Sequence, residues 1–439
     1  MKTRILFAVI MGSVLLTGAS SASEKRITMA GRFNSPCVSF NGGTAFLQIC
    51  ISAPAAENRE RQPLNLAVVL DRSGSMADEG KIEYAKKAVR SLMDQLKEGD
   101  YFSFVIYDDV VQVIRESRRI RDKRELLDLL DEVYPRGATN LGGGLVAGLE
   151  QVERHRDREY LNRVILLSDG LANRGIVDPH ELRRIAQRYR GKSISVTTMG
   201  VGLDFNENLM LGLSQGGGGN YYFIENPKSL ASIFRREFRS LTSVAVQNAT
   251  VELKLADGVR VMDVIGCEQQ RDSKRVTIPI GDIYSGEQRQ LTVELELPEG
   301  AGTLDAVTGV LHYDGKHGWF ESWPSFTASV RYTRILAEIN NYRDNEVQAL
   351  VDVAVSTRSV DRALKALDEG RKDDAARELK TAQATVVLSP AAYSKGAGGA
   401  LLGDQRARLE SFQIMLRDSV NFNKAKKVMQ YENYQVQKK

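Results

Sequence analysis

From Leu64 to about Leu241, short apolar runs alternate with stretches in which apolar residues recur every three or four positions. The runs are LNLAVVLD, YFSFVIYD, RVILLSD and SISVTTMGVG, with NYYFI as the last. A nearly continuous apolar run suits a strand covered on both faces, and the intervening helical spacing supplies the covering layers. Ile82, Ala85, Val89, Leu92, Met93 and Leu96 mark the first such helix. Others are expected near Lys123 to Val133, Gly142 to Arg154, Pro179 to Tyr189 and Pro227 to Leu241. Residues 63–242 are therefore predicted to form a doubly wound α/β domain with a mainly parallel sheet.

Beyond Ser243 the period changes. TVELKL and LTVELEL alternate apolar with charged residues, which predicts an antiparallel β-sandwich over 243–334. Residues 24–62 also read as strands, with a turn at FNGGTAF, but are too short to fold alone. They are expected to pair with the sandwich, so that the α/β domain is inserted within it. Residues 335–439 form a helical C-terminal region. VDRALKALDEG ends at a helix-stopping glycine and DDAARELKTAQATVV opens with acidic residues, which reads as a helical hairpin. SPAAYSKGAGGALLGD reads as a flexible connection, and the stretch from Gln405 as one long amphipathic helix through which copies could associate.

The opening residues MKTRILFAVIMGSVLLTGASSAS combine a basic start, an apolar stretch from Ile5 to Leu16 and small residues through Ser23. This is the layout of a secretory signal over 1–23, with a retained N-terminal anchor as the alternative. No other uncharged apolar run is long enough to cross a bilayer. The mature protein is expected to be exported, to a periplasm or to the outside of the cell. Lys and Arg number 60 against 56 Asp and Glu, a balance that points to no nucleic-acid partner. Cys37, Cys50 and Cys267 are too few for a disulfide scaffold. A chain reversal about Gly43 and Thr44 would set Cys37 opposite Cys50, which makes them a candidate disulfide.

In VVLDRSGSMAD, Asp71 ends the first strand and Ser73 and Ser75 follow at alternate positions. Thr139 lies in RGATNLGGGL, a loop entering a helix, and Asp169 ends RVILLSD. Open α/β sheets bind ligands beyond the carboxyl ends of their strands, where strand order reverses. Carboxylates and hydroxyls are hard donors that suit Mg²⁺ foremost, or Mn²⁺ or Ca²⁺. With so few charged ligands, such an ion retains the capacity to take a carboxylate from outside. The competing role for Asp71, Ser73 and Ser75 is helix capping, which leaves Thr139 and Asp169 unexplained.

The motifs DRSGSM, GATNLGGGL and LLSDG resemble the metal-ion-dependent adhesion site of von Willebrand factor type A domains. The resemblance implies that Asp71, Ser73, Ser75 and Thr139 ligate or hold the ion and that Asp169 acts directly or through water. The layout on either side is similar to secreted bacterial relatives of inter-alpha-trypsin inhibitor heavy chains and of calcium-activated chloride channel regulators.

Other motifs have plainer readings. His155, His180, His312 and His317 are scattered without metal-ligand spacing, and no Ser, His and Asp trio suggests an enzyme. QGGGGNYYFI precedes a strand instead of opening a helix, so it reads as a tight turn and not a phosphate cradle. RESRRIRDKRE and ERHRDRE mix signs as solvated helix faces do. The function expected is that of an exported adhesion or scaffold protein whose divalent cation captures an Asp or Glu of a partner protein. The alternatives are an envelope scaffold with a purely structural metal and an accessory subunit regulating an enzyme or transporter.

Overall fold

The computed structural model describes residues 26–55, 61–121, 123–314, 323–393, 396–418 and 422–438. The expected signal at 1–23 lies outside these residues. Three strands come first: β1 (Thr28–Phe33), β2 (Cys37–Ser39) and β3 (Gly43–Ser52). Next comes β4 (Leu64–Asp71), whose eight residues are all buried, as its unbroken apolar run requires. The chain continues through α1 (Lys81–Gln95), β5 (Tyr101–Tyr107), β6 (Val111–Arg119), α2 (Arg124–Asp131), α3 (Leu141–Glu153) and β7 (Leu161–Ser168). It then runs through α4 (Pro179–Arg190), β8 (Ile194–Val201), α5 (Glu207–Gly217), β9 (Gly218–Ile224) and α6 (Leu230–Thr242).

These strands form one sheet in the order β6-β5-β4-β7-β8-β9. All neighbours are parallel except the β5–β6 pair at the edge. The chain starts at β4, steps outward through β5 and β6, then returns to the other side of β4 with β7. The strand order thus reverses between β4 and β7. One face of the sheet packs Leu66, Val68 and Leu70 against Ala85, Val89, Leu92, Phe234 and Phe238 of α1 and α6. The other packs Ala67 and Val69 against Leu145 and Leu149 of α3, Leu182 of α4 and Leu213 of α5.

The remaining strands are β10 (Val244–Leu255), β11 (Arg260–Val264), β12 (Gln270–Asp272), β13 (Arg275–Tyr284), β14 (Gln288–Leu297), β15 (Thr303–Asp314) and β16 (Ser325–Thr333). They build two sheets, β1-β3-β14-β11 and β12-β13-β10-β15-β16-β2. The N-terminal strands are members of both: Leu47 of β3 lies opposite Val293 of β14, and β2 runs parallel to β16. Leu47, Ile49, Val251, Ile278, Val293 and Leu311 fill one apolar cluster between the two sheets. The helices α7 (Leu336–Asn341), α8 (Asn345–Asp368), α9 (Lys372–Val387), α10 (Ala397–Asp418) and α11 (Phe422–Gln437) close the chain. Gly370, at φ +75°, ends α8 and turns the chain into α9.

Four expectations need correction. Arg115 to Arg119, read as part of a solvated helix face, belong to the edge strand β6, where Arg115 is buried and donates to the Phe102 carbonyl at 2.6 Å. Of QGGGG, Gln215 to Gly217 are the last turn of a helix, α5, Gly218 is its left-handed end, and Gly219 already lies in β9. The stretch from Gln405 is not one helix but parts of α10 and α11, and α10 already starts at Ala397, inside the expected flexible connection. The apolar faces of these helices are taken up internally by Leu379, Leu409, Phe412 and Met429. Finally, Cys37, Cys50 and Cys267 are all free. Cys37 lies beside Arg331 in one sheet, and Cys50 lies between Ala30 and Gln290 in the other, so the hairpin that would have faced the two cysteines does not form.

Candidate functional site

Asp71 ends β4 and Asp169 directly follows β7, the two strands that flank the reversal of strand order. Both are fully buried. Asp71 accepts from the Ser73 amide through Oδ1 at 2.8 Å and from the Ser168 hydroxyl through Oδ2 at 2.7 Å. Burial pushes its carboxyl up to about 6, against the pull of those two hydrogen bonds and with a smaller push from Asp169. Asp169 accepts from Ser75 Oγ at 2.8 Å and from Lys81 Nζ at 2.9 Å, one on each oxygen. Ser73 Oγ and Ser75 Oγ lie 3.2 Å apart.

Thr139 joins this group from the loop before α3. Its amide donates to Asn173 Oδ1 at 2.9 Å and its carbonyl accepts from the Asn173 amide at 3.1 Å, which ties the loop to the one after β7. The loop after β4 is laced in by Gly74 N to Gly137 O at 3.1 Å and Arg136 N to Arg72 O at 2.7 Å. The glycine run at the start of α3 serves the same positioning. A Cβ on Gly144 would stand 2.5 Å from the Tyr107 ring, and one on Gly148 would stand 2.3 Å from Val69. Only glycine lets the helix press so closely on the sheet. A Cβ on Gly74, by contrast, would meet only ordinary contact, at 3.6 Å from the Gly137 carbonyl.

Gly170 reveals where the hydroxyls converge. A Cβ built there would meet Thr139 Oγ1 at 3.2 Å, Ser75 Oγ at 3.7 Å and Ser73 Oγ at 3.9 Å. Three hydroxyls from two loops thus lie within 4 Å of one point, and one of them, that of Ser75, donates to Asp169. Among the described residues no three His, Cys, Asp or Glu side chains gather into a metal-holding group. A cation here would rest instead on two carboxylates and hydroxyls, a donor set that fits a hard divalent ion and offers zinc or copper nothing soft. The structure therefore brings Asp71, Ser73, Ser75, Thr139 and Asp169 together.

Two members of the cluster escaped the sequence reading. Ser168 sits at the end of an apolar strand and reads as part of it. Lys81 occupies the apolar stripe of α1 with Ala85 and Val89, and a charge at such a position was the available signal. The histidines have other roles: His155 stacks on Tyr101 at 4.2 Å and contacts the Ser117 carbonyl at 3.0 Å, and His312 packs against Trp323. His317 lies outside the described residues. No described helix is long and apolar enough to cross a membrane.

Residues 65–236 match the family model described as von Willebrand factor type A domain. The uncharacterized protein sll0103 of Synechocystis sp. is 27% identical over 264 residues, which is 58% of this chain and 62% of that protein. Human inter-alpha-trypsin inhibitor heavy chain H3 is 27% identical over 156 residues, 34% of this chain and 17% of its own length. The chain thus spans less than two thirds of the curated relatives it matches. Among solved structures, von Willebrand factor type A from Catenulispora acidiphila aligns with a TM-score of 0.72 over 94% of this chain and 97% of that chain. Its 17% sequence identity makes it a likeness of fold alone.

Proposed function

We infer that this chain, whose residues 65–236 match the von Willebrand factor type A domain, works by binding: a divalent cation, Mg²⁺ first, sits among Asp71, Ser73, Ser75, Thr139 and Asp169 and captures an Asp or Glu of a partner protein. The observation that carries this reading is the convergence of three hydroxyls on the space beside Gly170, in loops whose Ser73 and Ser75 are hydrogen-bonded to the buried Asp71 and Asp169. Helix caps would spend their oxygens on backbone amides. Asp71 does accept from the Ser73 amide, but Ser73, at the N-cap position, makes no side-chain cap bond, and Ser73 and Ser75 direct their hydroxyls to each other and to Asp169. Hydroxyl ligands leave the ion much of its charge, and a carboxylate from outside is the hard anionic donor that completes its coordination. The role is recognition and not catalysis.

In this reading residues 1–23 direct export, the mature chain acts in a periplasm or outside the cell, and residues 63–242 carry the binding function. The two-sheet unit and the C-terminal helices hold that domain. The test is titration with Mg²⁺ and Mn²⁺ by calorimetry, alongside thermal melts. Wild-type protein should bind the ion and melt higher with it, and Asp71→Ala should lose both effects while staying folded. A wild type indifferent to both ions, or an Asp71→Ala variant that binds as tightly, would reduce these residues to caps. Chelation that unfolds the protein, instead of only releasing a partner, would favour a purely structural metal.

A further inference from the structure

Lys81 breaks two local rules. It is the first residue of α1, where the helix dipole disfavours a cation. Its side chain is also only 4% exposed, where an ammonium loses its water. The backbone delivers it there through two successive left-handed residues, Glu79 at φ +52° and Gly80 at φ +67°, and the first is not a glycine. From the far side Gly202 closes over it: a Cβ there would lie 3.3 Å from Lys81 Cε and 3.5 Å from Nζ. A residue placed against dipole, solvation and backbone preference marks a site where local preference yields to another requirement. Its contact identifies that requirement, because Nζ donates to Asp169 Oδ2 at 2.9 Å.

The two carboxylates of the cleft are thereby made unequal. Asp71 is held by neutral donors, the Ser73 amide and the Ser168 hydroxyl. Asp169 is held by the Ser75 hydroxyl on one oxygen and by an ammonium on the other. A divalent ion with two carboxylates alone would form a neutral cluster. With Lys81 present the same cluster keeps one net positive charge.

We propose that Lys81 is a resident counter-charge of this site, which fixes Asp169 and offsets its charge so that the bound ion is held less tightly but attracts an outside carboxylate more strongly. Lys81 is thus a positioning residue that gives up metal affinity for ligand affinity. The proposal rests on the metal reading above and concerns its regulation.

The experiment titrates wild type, Lys81→Met and Lys81→Gln with Mn²⁺ by calorimetry, then titrates the Mn²⁺-loaded proteins with acetate, followed by water-proton relaxation. Both neutral variants should bind Mn²⁺ more tightly, on the order of tenfold, and the loaded variants should bind acetate more weakly than wild type. Gln can still donate a hydrogen bond to Asp169, so agreement between Met and Gln assigns the effect to charge. In chelator both variants should melt below wild type, with a larger rise on adding Mn²⁺. A variant that does not fold in chelator is refolded with Mn²⁺ and its affinity read by competition with a chelator. Variants that bind Mn²⁺ no more tightly than wild type, or acetate no more weakly, overturn the proposal. Wild type that binds no Mn²⁺ overturns the metal reading itself, a distinguishable failure.

Discussion

Two buried polar clusters in this molecule solve the same problem in opposite ways. At the junction between the central sheet and the two-sheet unit, fully buried Arg163 of β7 pairs with Asp282 of β13, donates to Thr197 Oγ1 at 2.9 Å and lies 3.6 Å from Glu237 of α6. Glu237 in turn accepts from Thr197 at 2.6 Å, Asn220 at 2.7 Å and Tyr222 at 2.9 Å. Long side chains from five elements reach inward, and Glu237 accepts a hydrogen bond on each of its oxygens. The cleft beyond β4 and β7 uses short side chains instead, and its carboxylates are bonded chiefly to hydroxyls, with Lys81 as the one cation bonded to them. The first cluster spends both Glu237 oxygens on donors from β8 and β9. Each sets one cation against two carboxylates, but in the second three hydroxyls converge beside Gly170, so the side-chain chemistry separates a fastening from a proposed receptor within one sheet.

The largest expected effect tests the fastening. Arg163→Met removes the cation and leaves Asp282 and Glu237 buried without it, which should cost about 3–5 kcal/mol of stability. Urea unfolding measures it. A loss below about 1 kcal/mol, within the range of an ordinary surface change, would mean that water already reaches the junction and that the two clusters do not differ in kind. The same network holds α6 to β8 and β9 through Glu237, so hydrogen exchange in α6 should stay slow whether or not Mn²⁺ is bound.

The second effect is intermediate and carries a sign. The Asp71 carboxyl ionises near 6 in the folded chain against 3.8 ordinarily, because burial disfavours its charge. The folded state therefore holds this proton more tightly than the unfolded state does. Metal-free stability should fall as pH rises through the window between those values, by up to ~3 kcal/mol, and the cost should be complete above it. Melts in chelator between pH 4.5 and 7.5 test this against Asp71→Asn, which should flatten that slope, exceed wild type in stability at pH 7.5 and bind no Mn²⁺. A parallel slope in both proteins would place the titration elsewhere.

The two clusters also differ in how far the sequence discloses them. Asp71, Ser73, Ser75, Thr139 and Asp169 occupy strand ends, and a strand end is visible as the point where an apolar run stops at an oxygen side chain. The junction offers no such sign. Its one trace is Glu237, a charge on the apolar stripe of α6 with Ile233, Phe234, Phe238 and Leu241 as Lys81 is on α1, but nothing local names its partners, which come from three different strands. Asp282 is 119 residues from Arg163. The cysteine hairpin failed for the same reason: a short-range reversal was assumed, but β2 found β16 and β3 found β14, pairings that no local pattern specifies. Strand β6 was obscured because an edge strand can carry charges along its open side.

The smallest stability effect is the sharpest test of the receptor. Gly170 has no left-handed conformation to preserve, so alanine fits its backbone without strain. The added methyl would stand 3.2 Å from Thr139 Oγ1 and within 3.9 Å of both Ser75 and Ser73 hydroxyls. The hydroxyl of Thr139 must give by a few tenths of an ångström, and a loop can supply that, so Gly170→Ala should change stability by less than about 1 kcal/mol. The methyl nevertheless fills the space that the three hydroxyls share. A cation placed among them would meet carbon, so Mn²⁺ affinity should drop about tenfold, roughly 1.4 kcal/mol of binding. If Gly170→Ala binds Mn²⁺ as wild type does, the hydroxyls converge on one another and not on an ion, and the cleft becomes a second fastening like the one around Arg163.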